Sequence, residues 1–174
     1  YLFSWGIQGK RLGEIDGPAG IAIDNEDNVY ISDQNNHRIQ KFTNNGQFIS
    51  SWGSFGCGNG EFNMPWGISS DYKGDIYVAD WRNDRIQQFT ADGDFKSIYG
   101  NNVNDDIKLN RPSSVVVDDS GNLYIADWGN HKVKILNKNG SLISVLNGEA
   151  TLSKWAKEWY GKLPEQLETR ENAN

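Results

Sequence analysis

The stretch PAGIAIDNEDNVYISDQNNHRIQKFTNNGQFISSWG, residues 18–53, recurs twice further along the chain. PWGISSDYKGDIYVADWRNDRIQQFTADGDFKSIYG (65–100) and PSSVVVDDSGNLYIADWGNHKVKILNKNGSLISVLN (112–147) superpose on it without a gap, at a constant offset of 47 residues. Pro18, Pro65 and Pro112 align. So do Asp24, Asp71 and Asp118; Tyr30, Tyr77 and Tyr124; Asp33, Asp80 and Asp127; Asn36, Asn83 and Asn130; and Gly46, Gly93 and Gly140. Self-similarity at one period across three copies marks a repeat architecture.

Each copy holds four short runs bounded by Gly, Asp and Asn. In the first copy they are roughly Gly20–Ile23, Val29–Ser32, Arg38–Phe42 and Phe48–Trp52. Enrichment in β-branched and aromatic residues makes them strands. Asn44-Asn45-Gly46, Ala91-Asp92-Gly93 and Lys138-Asn139-Gly140 read as hairpin turns in which Gly supplies a positive φ. Four antiparallel strands per unit at this period is the arithmetic of a β-propeller blade, so the fold class is all-β. The first run, apolar throughout in Val115–Val117, is expected to be buried on both faces near the axis. The fourth is expected to be an amphipathic edge.

The strings Asn36-His37-Arg38-Ile39 and Asn130-His131-Lys132-Val133 follow Ile31-Ser32-Asp33 and Ile125-Ala126-Asp127. With the preceding P-x-G-I-x-x-D-x-x-x-N-V-Y pattern, they resemble NHL repeats over roughly residues 1–148. The second copy departs with Asn83-Asp84-Arg85, and the third has Ser113-Ser114 where Gly is usual. The resemblance implies a propeller of six blades, less often five, around a central channel. The expected organisation is a set of blades over 1–148, with repeats at about 7–53, 54–100 and 101–147. Tyr1–Trp5 aligns with Phe48–Trp52, so it is expected to be one strand of a preceding blade. Closed propellers typically have four to eight blades. The expectation is therefore a piece of a longer propeller, or, if the chain is complete, a homodimer closing one ring. Residues 149–174 break the pattern. There Leu152, Trp155, Ala156, Trp159, Tyr160 and Leu163 follow helical spacing, so 149–174 is expected to be a short amphipathic helical segment or tail, its aromatic stripe packed on the propeller body or on a further blade, or else binding a partner.

Composition narrows the function classes. With 37% hydrophobic and 12% aromatic residues among 174, the chain has the makings of a packed core. No apolar run reaches the length of a membrane-spanning helix, and no membrane partner is expected. The net charge of -6 repels phosphate backbones. RNA binding by a loop surface needs aromatics among many basic residues, and Arg82, Arg111 and Lys108 are few, so RNA is disfavoured. The one cysteine, Cys57, excludes an internal disulfide and a Cys-rich zinc site. The compartment stays open.

The two histidines, His37 and His131, share one repeat position that Asp84 occupies in the second copy. A residue with one role in every blade is architectural. The expected role is a turn hydrogen bond between the second and third strands, with Asp33, Asp80 and Asp127 accepting from nearby backbone N–H groups. Propeller lactonases and the amidating lyase, which resemble this pattern, carry metal ligands at blade starts. The matching residues, Ala19, Trp66 and Ser113, include neither His nor Glu. No catalytic residue, metal ligand or cofactor is assigned. What remains is a surface. Trp66, Trp81, Arg82, Arg111 and Trp128 fall on loops at one end of the blades, and Trp and Arg are the residue types enriched at binding hot spots. Trp81 and Trp128 alternatively cap blade-to-blade packing. The leading expectation is a non-enzymatic scaffold that binds a protein or peptide, or else a glycan, through this face. The competing one is part of a propeller enzyme, a metal-dependent lyase or lactonase-type hydrolase, with its catalytic residues on further blades.

Overall fold

In a computed structural model the described residues are 4–100 and 106–147. A short parallel pair, β1 (Ile7–Gln8) and β2 (Glu14–Ile15), precedes three meanders. The first is β3 (Pro18–Ile23), β4 (Val29–Asp33), β5 (Arg38–Phe42) and β6 (Phe48–Trp52). The second is β7 (Pro65–Ser70), β8 (Ile76–Asp80), β9 (Arg85–Phe89) and β10 (Phe95–Tyr99). The third is β11 (Pro112–Val117), β12 (Leu123–Asp127), β13 (Lys132–Leu136) and β14 (Leu142–Asn147). Each meander is one four-stranded antiparallel sheet in simple sequential order, and the three sheets are the blades of a β-propeller.

Turn chemistry explains the regularity. Gly46, Gly93 and Gly140 have φ of 85°, 91° and 80° in the turns between the third and fourth strands. The turn between the first and second strands is built on the repeated aspartate. Asp24 Oδ1 accepts the N–H groups of Glu26 and Asn28, both at 2.9 Å. Asp71 and Asp118 repeat the arrangement. These are local side-chain bonds that make the turn the low-energy path.

The blades pack by their inner strands. A Cβ on Gly20 would lie 2.4 Å from the Trp66 carbonyl oxygen, and one on Gly67 would lie 2.6 Å from that of Ser113. Backbone therefore meets backbone at the blade starts, an approach that only glycine allows. The core lies between blades. Tyr30, Ile39, Phe62, Ile68, Val78 and Phe89 fill the first junction, and Tyr99, Leu109, Val115, Leu123, Ile125 and Leu136 are among those filling the second.

β4, β5, β8 and β9 are buried at all five positions because both faces are covered. β12 alternates instead. The first strands differ from expectation. Val115 is buried, but Val116 is 59% exposed, as is Ile21 at 66%. One face of an inner strand packs on its neighbour and the other does not. The expected strand at Tyr1–Trp5 falls partly outside the described residues, and Ser4 and Trp5 are not in a strand. The Trp5 ring nevertheless lies over Gly46, just as Trp52 lies over Gly93. The expected C-terminal helix lies outside the described residues.

Candidate functional site

A buried hub organises the end of each blade where the second strand meets the third. Asp80, fully buried, ends β8. It accepts from the Asn63 N–H (2.8 Å), Asn83 Nδ2 (2.9 Å), Arg85 Nε (2.7 Å) and Gln87 Nε2 (3.2 Å). Arg85 then donates to the carbonyls of Cys57, Gly58 and Glu61, which ties the preceding loop down. Asp33 and Arg38 repeat this network against Lys10, Arg11 and Glu14. In the third blade Lys134 serves, with Nζ 3.3 Å from Asp127. Burial pushes the Asp80 carboxyl above its ordinary range, against the lowering pull of Asn63, Asn83 and Arg85. The hub recurs in each of the three described blades, as an architectural element does.

The hub is followed by a single 3-10 turn, at Gln34–Asn36, Trp81–Asn83 and Trp128–Asn130. Each ends on a left-handed residue, His37, Asp84 or His131. The role of His37 differs from the turn bond expected within its own blade. Its Nδ1 accepts the Met64 N–H at 3.1 Å, in the next blade. Asp84 Oδ1 accepts the Arg111 N–H at 2.7 Å in the same way. Met64 and Arg111 are themselves left-handed, with φ of 59° and 50°, where the first copy has Gly17 at 69°. This blade-to-blade latch was not apparent from sequence. Its trace there is the alignment of Gly17 with Met64 and Arg111. His37 is held below its ordinary pKa by burial and by repulsion from Arg82, with Asp80 opposing, which favours the neutral acceptor form.

The latch places Arg111 beside Trp81. The ring of Trp81 sits between those of Trp66 (centroids 5.1 Å apart, edge-on) and Trp128 (6.4 Å). The guanidinium carbons of Arg82 and Arg111 each lie 5.4 Å from the Trp81 ring centroid. All five residues singled out from the sequence thus gather around one indole. Trp128 is 56% exposed and Trp66 36% exposed, and both arginines are exposed, while Trp81 is half-buried. The Trp81 Nε1 is inaccessible and has no hydrogen-bond partner among the described residues. Neither guanidinium takes part in an ion pair among the described residues. The first blade has Gln34-Asn35 in place of Trp81-Arg82, and Asn35 bonds to Asp16 there. The ladder therefore belongs to the second and third blades alone. Chemically it offers flat aromatic area plus two cations with no ion pair among the described residues, suited to a carboxylate-bearing ligand. Among the described residues no three His, Cys, Asp or Glu side chains converge as a metal site would require.

Comparison with known proteins agrees with the geometry. The family model described as NHL repeat matches residues 16–42, 62–89 and 109–136, in register with the three blades. No curated protein matches the sequence significantly. Solved structures match the fold. A virginiamycin B lyase from Staphylococcus aureus is 16% identical with a TM-score of 0.56, over 77% of this chain and 42% of that one. The hydrazine synthase of Kuenenia stuttgartiensis is 13% identical with a TM-score of 0.61, over 84% and 40%. A chain of a nidogen/laminin complex is 24% identical with a TM-score of 0.59, over 76% and 49%. This chain thus spans less than half the length of each of these propeller proteins.

Proposed function

This chain is an NHL-repeat β-propeller protein, and we propose that it is a binding module that recognises a protein or peptide segment through the ladder Trp66, Trp81 and Trp128 with Arg82 and Arg111. The fold does not choose between binding and catalysis, since its structural neighbours include a lyase, a hydrazine synthase and a member of a protein complex. The observation that carries the binding reading is local: three indoles and two guanidinium groups, neither in an ion pair among the described residues, share one exposed patch. Rigid aromatics give contact area at small entropic cost, and arginines fork onto carboxylates. The favoured partner is a segment with an acidic residue beside an apolar or aromatic one. The nidogen/laminin neighbour supports this at the level of the fold alone.

Selection of peptides from a random display library on the immobilised chain tests the proposal. Peptides pairing an acidic with an aromatic residue should emerge, and binding should fall about 30-fold in Trp128→Ala, the equivalent of a 2 kcal/mol hot spot. Binders indifferent to Trp128→Ala and Arg82→Ala would refute it.

A further inference from the structure

The residues that break the repeat also gather in a second place. At the opposite end of the blades, a cleft of about 380 Å³ opens between the second and third blades. It is lined by the turn after β7, the turn after β11, the end of β10 and the turn after β13. In a meander the turns after the first and third strands share one end, and the turn after the second lies at the other. The cleft is therefore remote from the tryptophan ladder.

Among the lining positions where the second blade departs from both other copies, four form a linked set. Asp75 stands where they have Asn28 and Asn122, and Gln88 where they have Lys41 and Ile135. Lys96 replaces Ile49 and Ile143, and Tyr99 replaces Trp52 and Leu146. The four are joined to one another. Gln88 Nε2 donates to Asp75 Oδ2 and to the Tyr77 hydroxyl, both at 2.9 Å. Gln88 Oε1 accepts from the Tyr99 hydroxyl at 2.9 Å, and Lys96 pairs with Asp75. At the first junction the equivalent residues pack on one another. Lys41 lies over the Tyr30 ring at 5.2 Å with Nζ 3.8 Å from Asp24, and the Trp52 ring packs edge-on to Tyr30 at 6.1 Å. The cleft thus has the smaller Tyr99 and the uncharged Gln88 where the first junction has Trp52 and Lys41.

We propose that this cleft binds a neutral polyhydroxylated ligand, a mono- or disaccharide. Its lining balances three carboxylates, Asp71, Asp75 and Asp119, against three ammonium groups, Lys73, Lys96 and Lys138. Such a lining gives a net anion or cation no advantage. Instead it presents donors and acceptors in alternation, which is what hydroxyls that both donate and accept require. The fixed Gln88–Tyr77–Tyr99 relay pre-orients its hydroxyls, so less order is lost on binding. Tyr72, 56% exposed at the rim, adds an aromatic face. The volume falls at the small end of the roughly 300–1,000 Å³ range of ligand pockets.

The test is a titration of the full chain with maltose, cellobiose and N-acetylglucosamine, followed by amide NMR shifts. At least one sugar should bind in the millimolar range, with shifts confined to residues 71–77, 96–99 and 118–121. The double variant Gln88→Lys/Tyr99→Trp restores the side chains that the first blade already accommodates. It should stay folded and weaken binding about tenfold or more. Trp128→Ala should leave sugar binding unchanged, which separates this site from the peptide surface. Three silent sugars, shifts mapping elsewhere, or undiminished binding in the double variant would overturn the proposal.

Discussion

Replacing Asp80 by Asn should cost about 3–5 kcal/mol of stability, and the reason lies in Arg85 rather than in Asp80. Asparagine is nearly isosteric and keeps an acceptor for the Asn63 N–H, now 2.8 Å from the carboxylate. What it removes is the countercharge of a guanidinium that is only 3% exposed. Three carbonyls, of Cys57, Gly58 and Glu61, still solvate Arg85, but none neutralises it. Burial already raises the Asp80 pKa, so the intact pair is itself of modest net worth, and the loss comes from stranding its partner. Against a total of about 5–15 kcal/mol for a domain, a loss of this size is severe. With a urea slope of about 2 kcal/mol per molar, the midpoint should fall by about 2 M. The double variant Asp80→Asn/Arg85→Met removes the stranded charge and should recover part of the loss. The reasoning is refuted if Asp80→Asn shifts stability by less than about 1 kcal/mol, or if the double variant is no more stable than the single one.

Gly67→Ala should destabilise by about 1–3 kcal/mol, because the added methyl meets the Ser113 carbonyl oxygen at 2.6 Å. Thermal unfolding of that variant beside Ser114→Gly, expected to be mild, checks the close approach of the inner strands. The latch at His37 predicts a pH dependence. A folded-state pKa below the ordinary 6.5 means that this contribution is complete above about pH 6.5 and is lost as the pH falls through the depressed value, since the unfolded chain takes up the proton first. Urea midpoints should therefore drop between about pH 7 and pH 5 in the parent and stay level in His37→Asp, the residue that serves at the second latch. Equal slopes in both would exclude the latch. Arg111→Ala should keep the backbone bond to Asp84 and so the fold, while weakening a selected acidic peptide about tenfold in calorimetric titration.

Turns and strands were legible because their signals are local. Val29–Ser32 extends by one residue, to Val29–Asp33, and Phe48–Trp52 stands as read. The aspartate turns at Asp24, Asp71 and Asp118 follow from short-range side-chain bonds. Burial was less legible where it depends on a neighbouring blade. Val116 is apolar yet exposed, because strand pattern does not say which face another sheet covers. The repeat position of His37 marks it as architectural, but its partner Met64 lies 27 residues on, across a junction that periodicity alone does not describe. The repeat pattern puts the five residues of the ladder on loops at one end of the blades, whereas Trp66 is the second residue of β7, at the same end. That Trp81 stands at their centre, with both arginines on it, follows from the left-handed turn at Arg111. The cleft at Gln88 and Tyr99 was hidden for a different reason. Reading a repeat rewards what its copies share, and these residues matter through what the copies do not share.

Shared residues build the blades, and on the proposed function the departures from the repeat carry recognition. One variant tests it directly. Trp81→Gln/Arg82→Asn gives the second blade the residues that the first already carries at Gln34 and Asn35. Calorimetric titration with a display-selected peptide, alongside thermal unfolding, should show binding lost by more than about 30-fold and a melting temperature within about 4 °C of the parent. Binding retained in this variant, or a collapse of the fold with it, would show that the ladder is packing rather than a recognition surface.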